Sequence, residues 1–528
     1  MKIFNQANFS WRKFAKPNSL KLQLALTGLL VPVSDFLLFQ GRHLGISVAI
    51  FLLLLGVSSF LSQSARAANP NGKISLLILV AGLIPIVETL NVLTAGVGIV
   101  STLISIVYFN PGQKLENFAG LINQSNRLLI SISFRAIKDM LWFKRLRRQK
   151  HKPLLSSTFL KNWVLPIVLT LGFLWLFTLA NPLIANWIFK FDILYLWEML
   201  GRVLNFKRVI FWVLMFAGCW PLIRPKLKRA VASLSKNLAV DKNTNKQVSK
   251  GVIDEAQVLR ALFLFNLLFA TQTVLDLFYL WGGGELPAGV SHSQYVHRGT
   301  YFLLTTTLLA AGFILFVTSK KMHMEKSFKI KVLLLAWTAQ NVILVISIMK
   351  RLELYVEAYA LTYLRVAVFV WMFLVMIGLC LIIVRLMRNQ TNAWLINTNL
   401  ISLALTLYVM SFANIPYLIA SNNVSAVVNN PHKALDIGYL SQLGVQAIPA
   451  IDMILKQPNW KKSRSYFLRH HQNSYDFEAL RKILVWQVKF KQNDWRQWNF
   501  RNGRLIDYLD SHITIHNQAP SGRHHHEK

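Results

Sequence analysis

Acidic residues are what this sequence has least of: 22 aspartates and glutamates stand against 58 lysines and arginines in 528 residues, a formal net charge of +36. Charge of either sign is itself thin, at 15% of the chain, while apolar residues make up 54% and mean hydropathy is +0.40. That balance is too apolar for a soluble protein of several domains. Cysteine is nearly absent. Cys219 and Cys380 both fall inside apolar runs, which excludes a disulfide framework and a zinc motif, and no metal or cofactor is expected. Histidine is missing from the apolar runs, which argues against haem held between helices. There is no GxxxxGK[ST] loop and no HExxH helix, which argues against an ATPase and a zincin protease. The polar N-terminus ends in no small-residue cleavage site, so no removable signal peptide is expected.

What is present is a series of apolar runs, many of them close to the roughly 20 helical residues that cross a bilayer. They predict an all-α, polytopic transmembrane helix bundle of about 11 spans with a small helical extramembrane C-terminal segment. The expected spans are Leu22–Phe39, Gly45–Leu61, Ile74–Asn91, Val92–Phe109, Trp163–Trp187 and Val209–Ile223, then a hairpin over Leu259–Ile314 that supplies two, then Val332–Met349, Val366–Val384 and Trp394–Ile419. The basic residues lie in clusters between these runs rather than on one soluble domain. They read as cytoplasmic loop charges that orient the helices and touch anionic lipid, and not as a nucleic-acid surface.

Placing the basic loops inside gives the order along the chain. A cytoplasmic N-terminus (1–21) precedes a four-span unit (22–109) and a basic cytoplasmic loop with an interfacial helix (110–161). A two-span unit with an outer interfacial helix (162–223), a second basic loop (224–258) and a five-span unit (259–419) follow. The C-terminal segment (420–528) then falls on the extracytoplasmic side. Asp436–Leu455 is either a twelfth span or, given Asp436, Gln442, Gln446, Pro449 and Asp452, a surface helix. Phe477–Lys491 and Gly503–Asp510 have amphipathic spacing, with Trp486, Trp495 and Trp498 as packing or interface anchors.

A carboxylate inside a span is costly and is a functional candidate by default. Asp35, Glu88 and Asp276 each fall within about two helical turns of an outer span end in this threading. Gln272, Asp276 and Tyr279 share one helical face at i, i+4, i+7. The outer links hold Arg42, Arg298, Arg351, Arg365, Glu353 and Glu357. The expected binding site is therefore an outer-facing polar pocket built from Asp35, Glu88, Gln272, Asp276, Arg298, Arg351, Glu357 and Arg365, in which arginine forks hold carboxylates. No catalytic residue is identified. Boundary residues reaching headgroups and water would give the same pattern. Tyr355, Tyr359 and Tyr363 recur every four residues, as an aromatic belt does.

Five stretches carry a resemblance: FNLLFATQTVLDLFYLWGGGELPAGVSHSQYVHRGTY, RLELYVEAYALTYLR, the ANP at 180–182, LDIGYLSQLGVQAIPAI and DWRQWNFRNGRL. Together the chain resembles the bacterial multi-pass membrane family described as domain of unknown function 4173, related to 4153. The resemblance covers most of Leu22 to Leu509. It implies a bacterial inner-membrane protein and supplies no activity. Three function classes follow from the residues: a transporter or permease using the outer pocket, a non-catalytic scaffold or sensor, and an enzyme on lipid-linked substrates with Asp276, Glu88 or His297 as base.

Overall fold

The computed structural model describes residues 20–39, 44–63, 71–109, 118–149, 205–225, 255–282, 327–430, 435–457, 477–491 and 494–517, with a few isolated positions between them. Among these residues every regular element is helical. Most of the expected fifth span and of the hairpin's second arm, together with Arg298 and His297, lies outside them. The chain divides into two compact units. One holds residues 1–84, 98–115 and 120–228; the other holds 85–97, 116–119 and 229–528.

The first unit opens with α1 (Leu20–Ser34), whose last residues pass into a π-helical turn at Asp35–Phe39. α2 (Ile46–Gln63) follows, then α3 (Gly72–Glu88) and α4 (Val92–Tyr108), of which residues 85–97 fall in the second unit, then α5 (Phe118–Gln149) and α6 (Phe206–Ile223). α2 and α6 run parallel. Ser59 donates to the Leu222 carbonyl at 2.6 Å, and Ser62 donates to that of Ile223. Such hydroxyl bonds satisfy the open carbonyls at a helix end without water.

α3 and α4 form a close hairpin, fastened by Ser105 donating to the Ser75 carbonyl at 2.5 Å and Asn71 donating to that of Tyr108 at 3.1 Å. Gly82 lets them approach. A Cβ there would lie 1.7 Å from Ser101 Oγ and 2.2 Å from its Cβ, and neither atom can swing far away. Gly82→Leu therefore forces the pair apart and costs about 1–3 kcal/mol, read as a lowered unfolding midpoint of the solubilised protein. Gly96, with open space around it, tolerates Ala.

The second unit begins with α7 (Glu255–Asp276), again passing into a π-helical turn, Leu277–Trp281. α8 (Phe328–Tyr359) is 32 residues long and central, buried against α7 and α9 (Tyr363–Arg388). The sequence suggested a long link from Lys350 to Arg365. Instead α8 continues through Tyr359, because Leu, Glu, Tyr and Ala all tolerate helix, and the turn is only residues 360–362.

α10 (Asn392–Phe412) stops short of the expected Ile419. Asn414 caps a new helix, α11 (Ile415–Asn429), by accepting from Tyr417 N, and Pro416 sits in its first turn, where a missing N–H costs nothing.

The remaining elements are α12 (Ile437–Gln442), a 3₁₀ turn (Gly444–Ala447), α13 (Ile448–Leu455), α14 (Phe477–Lys491), a 3₁₀ turn (Trp495–Gln497) and α15 (Phe500–Asn517). Gly444, at φ 73°, breaks the Asp436–Leu455 segment into pieces of 6 and 8 helical residues, too short to span. These pieces pack with α11, α14 and α15 around Val424, Ala447, Ile451, Leu480, Leu484 and Leu509, a core separate from that of α7–α9.

Inside this C-terminal core Asp452 accepts from Arg481 and, at 3.1 Å, from the Tyr508 hydroxyl. Burial, with the Asp452 charge behind it, pushes the Tyr508 hydroxyl up to about 12. Its folded value lies above the ordinary one, so the stability it contributes is complete below about pH 10 and disappears as pH rises toward 12. Tyr508→Phe removes that part of the pH dependence between pH 10 and 12, as measured by thermal unfolding across the range.

Seven helices among the described residues are long and apolar enough to cross a membrane: Leu20–Phe39, α2, α6, Glu255–Trp281, α8, α9 and α10. Their outer faces suit lipid and not water. α7 alone exposes Phe263, Leu264, Leu267, Leu268 and Val274 by more than half each. The protein is membrane-embedded.

Candidate polar site in the membrane helices

The buried acids each have arginine partners. In the first unit, Asp35 is 4% exposed and starts the π-helical turn of α1. Arg208, in the first turn of α6, grips it with two bonds, Nε to Oδ1 at 2.8 Å and Nη2 to Oδ2. Two parallel bonds fix the guanidinium plane as well as neutralise the charge. Arg208 also stacks over Trp212, its carbon 5.6 Å from the ring centroid. From the sequence, Ile188 to Arg208 reads as the outer interfacial helix, with Arg208 at its end. Its position at the head of an apolar run was the available signal.

In the second unit, Asp276 and Arg351 are 1% and 2% exposed, and Arg351 Nη2 donates to Asp276 Oδ1. Gln272, one turn back on α7, donates to the same oxygen at 2.9 Å. This is the i, i+4 face expected from the sequence, and Arg351 is among the arginines named there.

The pair forms because α7 and α8 run parallel: Asn266 Nδ2 reaches the Leu333 carbonyl at 3.1 Å further down, and Asp276 meets Arg351 further up. Two charges removed from solvent cost several kcal/mol each, and only close pairing with added hydrogen bonds offsets that. A π turn directly after Asp276 widens the helix there. Such turns are frequent at functional sites.

Arg365 serves the α8–α9 turn. Its Nη1 donates to the carbonyls of Tyr359 and Ala360, and its guanidinium lies 4.6 Å over the Tyr355 ring. Thus one tyrosine of the expected belt is a cation-π platform. Glu357 contributes its main chain, whose carbonyl accepts from Lys433 at 2.9 Å.

Glu88 is held elsewhere in this unit. Arg501 Nε donates to its Oε1 at 3.2 Å, and Arg504 donates to the same oxygen. Arg501 also donates to the Phe412 carbonyl at 3.0 Å and the Ala413 carbonyl at 3.4 Å, capping the last turn of α10. Burial pulls the Arg501 guanidinium below its usual range while Glu88 holds it up. Beside it, Asn414, Gln446 and Asn502 form a chain of side-chain bonds at 2.9 and 3.0 Å. Arg501, Asn502 and Arg504 all come from the DWRQWNFRNGRL stretch.

Among the described residues no group of three His, Cys, Asp or Glu side chains could hold a metal ion. The chemistry available in the membrane helices is that of paired charges with an amide beside them.

A family model, described as Domain of unknown function (DUF4153), matches residues 36–454. No curated protein and no solved structure matches the chain. The match takes in Glu88, Gln272, Asp276, Arg351 and Asp452, and stops before Arg501 and Arg504. It is the family that the sequence stretches suggested second, after domain of unknown function 4173. With most of its length covered, the Asp276–Arg351 pair included, this membrane-embedded chain belongs to the DUF4153 family.

Proposed function

We propose that the protein is a multi-pass bacterial inner-membrane permease for a small envelope solute or lipid, working through a polar site near the outer ends of its spans. The observation that carries this reading is the Asp276–Arg351 pair with Gln272, buried between two membrane helices beside a π turn. A solute with its own charge can exchange with either member of such a pair, and intramembrane pairs mark solute and ion pathways.

Eleven spans accommodate the seven long helices, the 17-residue α3 and α4, and two further apolar runs at Trp163–Trp187 and within Leu259–Ile314. In this threading the N-terminus and the basic loops face the cytoplasm and its anionic lipids, and the C-terminal core lies outside. Asp35, Glu88, Arg298, Glu357 and Arg365 belong to the same outer side.

Cells lacking the gene are compared with cells carrying Asp276→Asn or Arg351→Lys for envelope lipids and small charged solutes. The expectation is that deletion and both variants shift the same compound while the variants insert normally. Variants that restore it fully would exclude this site as the route. A tag at the tail, protected from external protease in intact spheroplasts, would overturn the orientation.

One observation favours a second reading, a scaffold or sensor. Ile483, Trp486 and Phe490 are exposed on α14, opposite the face that packs into the C-terminal core. Trp486→Ala leaves the permease phenotype intact in either case, and abolishes reproducible partner capture only if this face is a docking surface.

A further inference from the structure

α8 carries more polarity than its ion pair needs. Near its middle, Trp337, Gln340 and Asn341 fall on one helical face at i, i+3, i+4. Trp337 is 3% exposed and Asn341 0%. Among the described residues none accepts from Trp337 Nε1 and none donates to Gln340 Oε1 or Asn341 Oδ1, although all three atoms are buried. Asn341 spends its amide nitrogen on the Trp337 carbonyl at 2.8 Å, one turn back, which leaves its buried oxygen still to be satisfied.

An orphaned buried polar group is costly, and lipid offers no alternative partner at this depth. The set consists of one N–H donor and two carbonyl acceptors. Three polar partners are what a buried water ordinarily uses.

We propose that α8 holds bound water at mid-membrane, cradled by Trp337 Nε1, Gln340 Oε1 and Asn341 Oδ1. Asn341 stands ten residues before Arg351, which is about 15 Å along a helix and half of a bilayer core. The same helix carries the buried Ser347 between them. The hydrated position therefore lies in line below the Asp276–Arg351 pair, and it gives the permease reading a polar step halfway through the membrane. The water site stands on its own geometry and does not need that reading.

Hydroxyl-radical labelling of the lipid-reconstituted protein by X-ray radiolysis tests it, because bound water oxidises the side chains beside it even when they are shielded from bulk solvent. Trp220 is the internal reference: it is also 3% exposed, but its Nε1 already donates to Asp139 at 3.2 Å. The expected result is Trp337 oxidised several-fold faster than Trp220, with Asn341→Leu and Gln340→Leu each slowing Trp337 and leaving Trp220 unchanged. Equal rates at the two tryptophans, or a Trp337 rate indifferent to both substitutions, overturn the water site whatever the transport assays give. If Asn341→Leu does not fold, Gln340→Leu and the wild-type ratio decide.

Discussion

Arg351→Met destabilises the protein by about 3–5 kcal/mol, because it leaves the Asp276 carboxylate buried without its guanidinium. Asp276 is 1% exposed, so water cannot reach it without opening the α7–α8 interface, and the neutral donor that Gln272 supplies does not replace a guanidinium. The double replacement Asp276→Leu with Arg351→Met should behave oppositely. Two apolar side chains of similar volume carry no desolvation penalty, and buried pairs replaced in this way are often neutral or more stable by up to about 4 kcal/mol. Unfolding of the solubilised wild type, both single variants and the double variant closes a thermodynamic cycle. A double variant as unstable as Arg351→Met would mean that the pair's value lies in shape and not in charge. A stable double variant without activity would say that the pair is kept for function at a cost in stability.

The second large effect is expected at Asn423. Its side chain lies on α11 and behaves like a peptide group: Oδ1 accepts from the Leu361 N–H at 2.7 Å and Nδ2 donates to the Leu361 carbonyl at 2.9 Å. Leu361 belongs to the three-residue turn between α8 and α9, next to Ala360 at φ 65°, a left-handed conformation that a non-glycine residue holds only under local constraint. Neither strand nor helix satisfies that turn's backbone, so one amide does. Asn423→Leu strands a buried donor and a buried acceptor together and costs about 2–4 kcal/mol. Hydrogen exchange reads the effect where it originates: the Leu361 amide should lose its protection while amides in the middle of α9 keep theirs. Protection unchanged at Leu361 would show that the turn is held by its packing alone.

The helices themselves were legible, because lipid solvent enforces long apolar runs. Leu22–Phe39 and Gly45–Leu61 were expected and match α1 and α2 closely, as does the amphipathic segment that became α5. Helix breaks were partly legible. The expected span Trp394–Ile419 ran straight through Asn414 and Pro416, since hydropathy does not fall where a cap and a first-turn proline begin a new helix.

Partners were mostly illegible. Asp276 and Arg351 could be guessed because both lie at the same end of neighbouring spans. Arg208 meets Asp35 across 173 positions and Arg501 meets Glu88 across 413, and no local periodicity encodes such separations. The π turns after the two aspartates left no trace in composition either, because a wide turn and an ordinary one use the same residues.

The separation between Glu88 and Arg501 also sets a timetable for biogenesis. At ordinary synthesis speeds of about 5–20 residues per second, the 413 residues between them take roughly 20–80 s to emerge. Through that interval Glu88, on α3, has neither of its eventual arginines, whereas Asp276 waits only for the 75 residues to Arg351. A ribosome stalled or a chain cut before residue 500 therefore strands Glu88, and quality-control proteases that sense uncompensated charge in nascent membrane proteins have a long window in which to act on it.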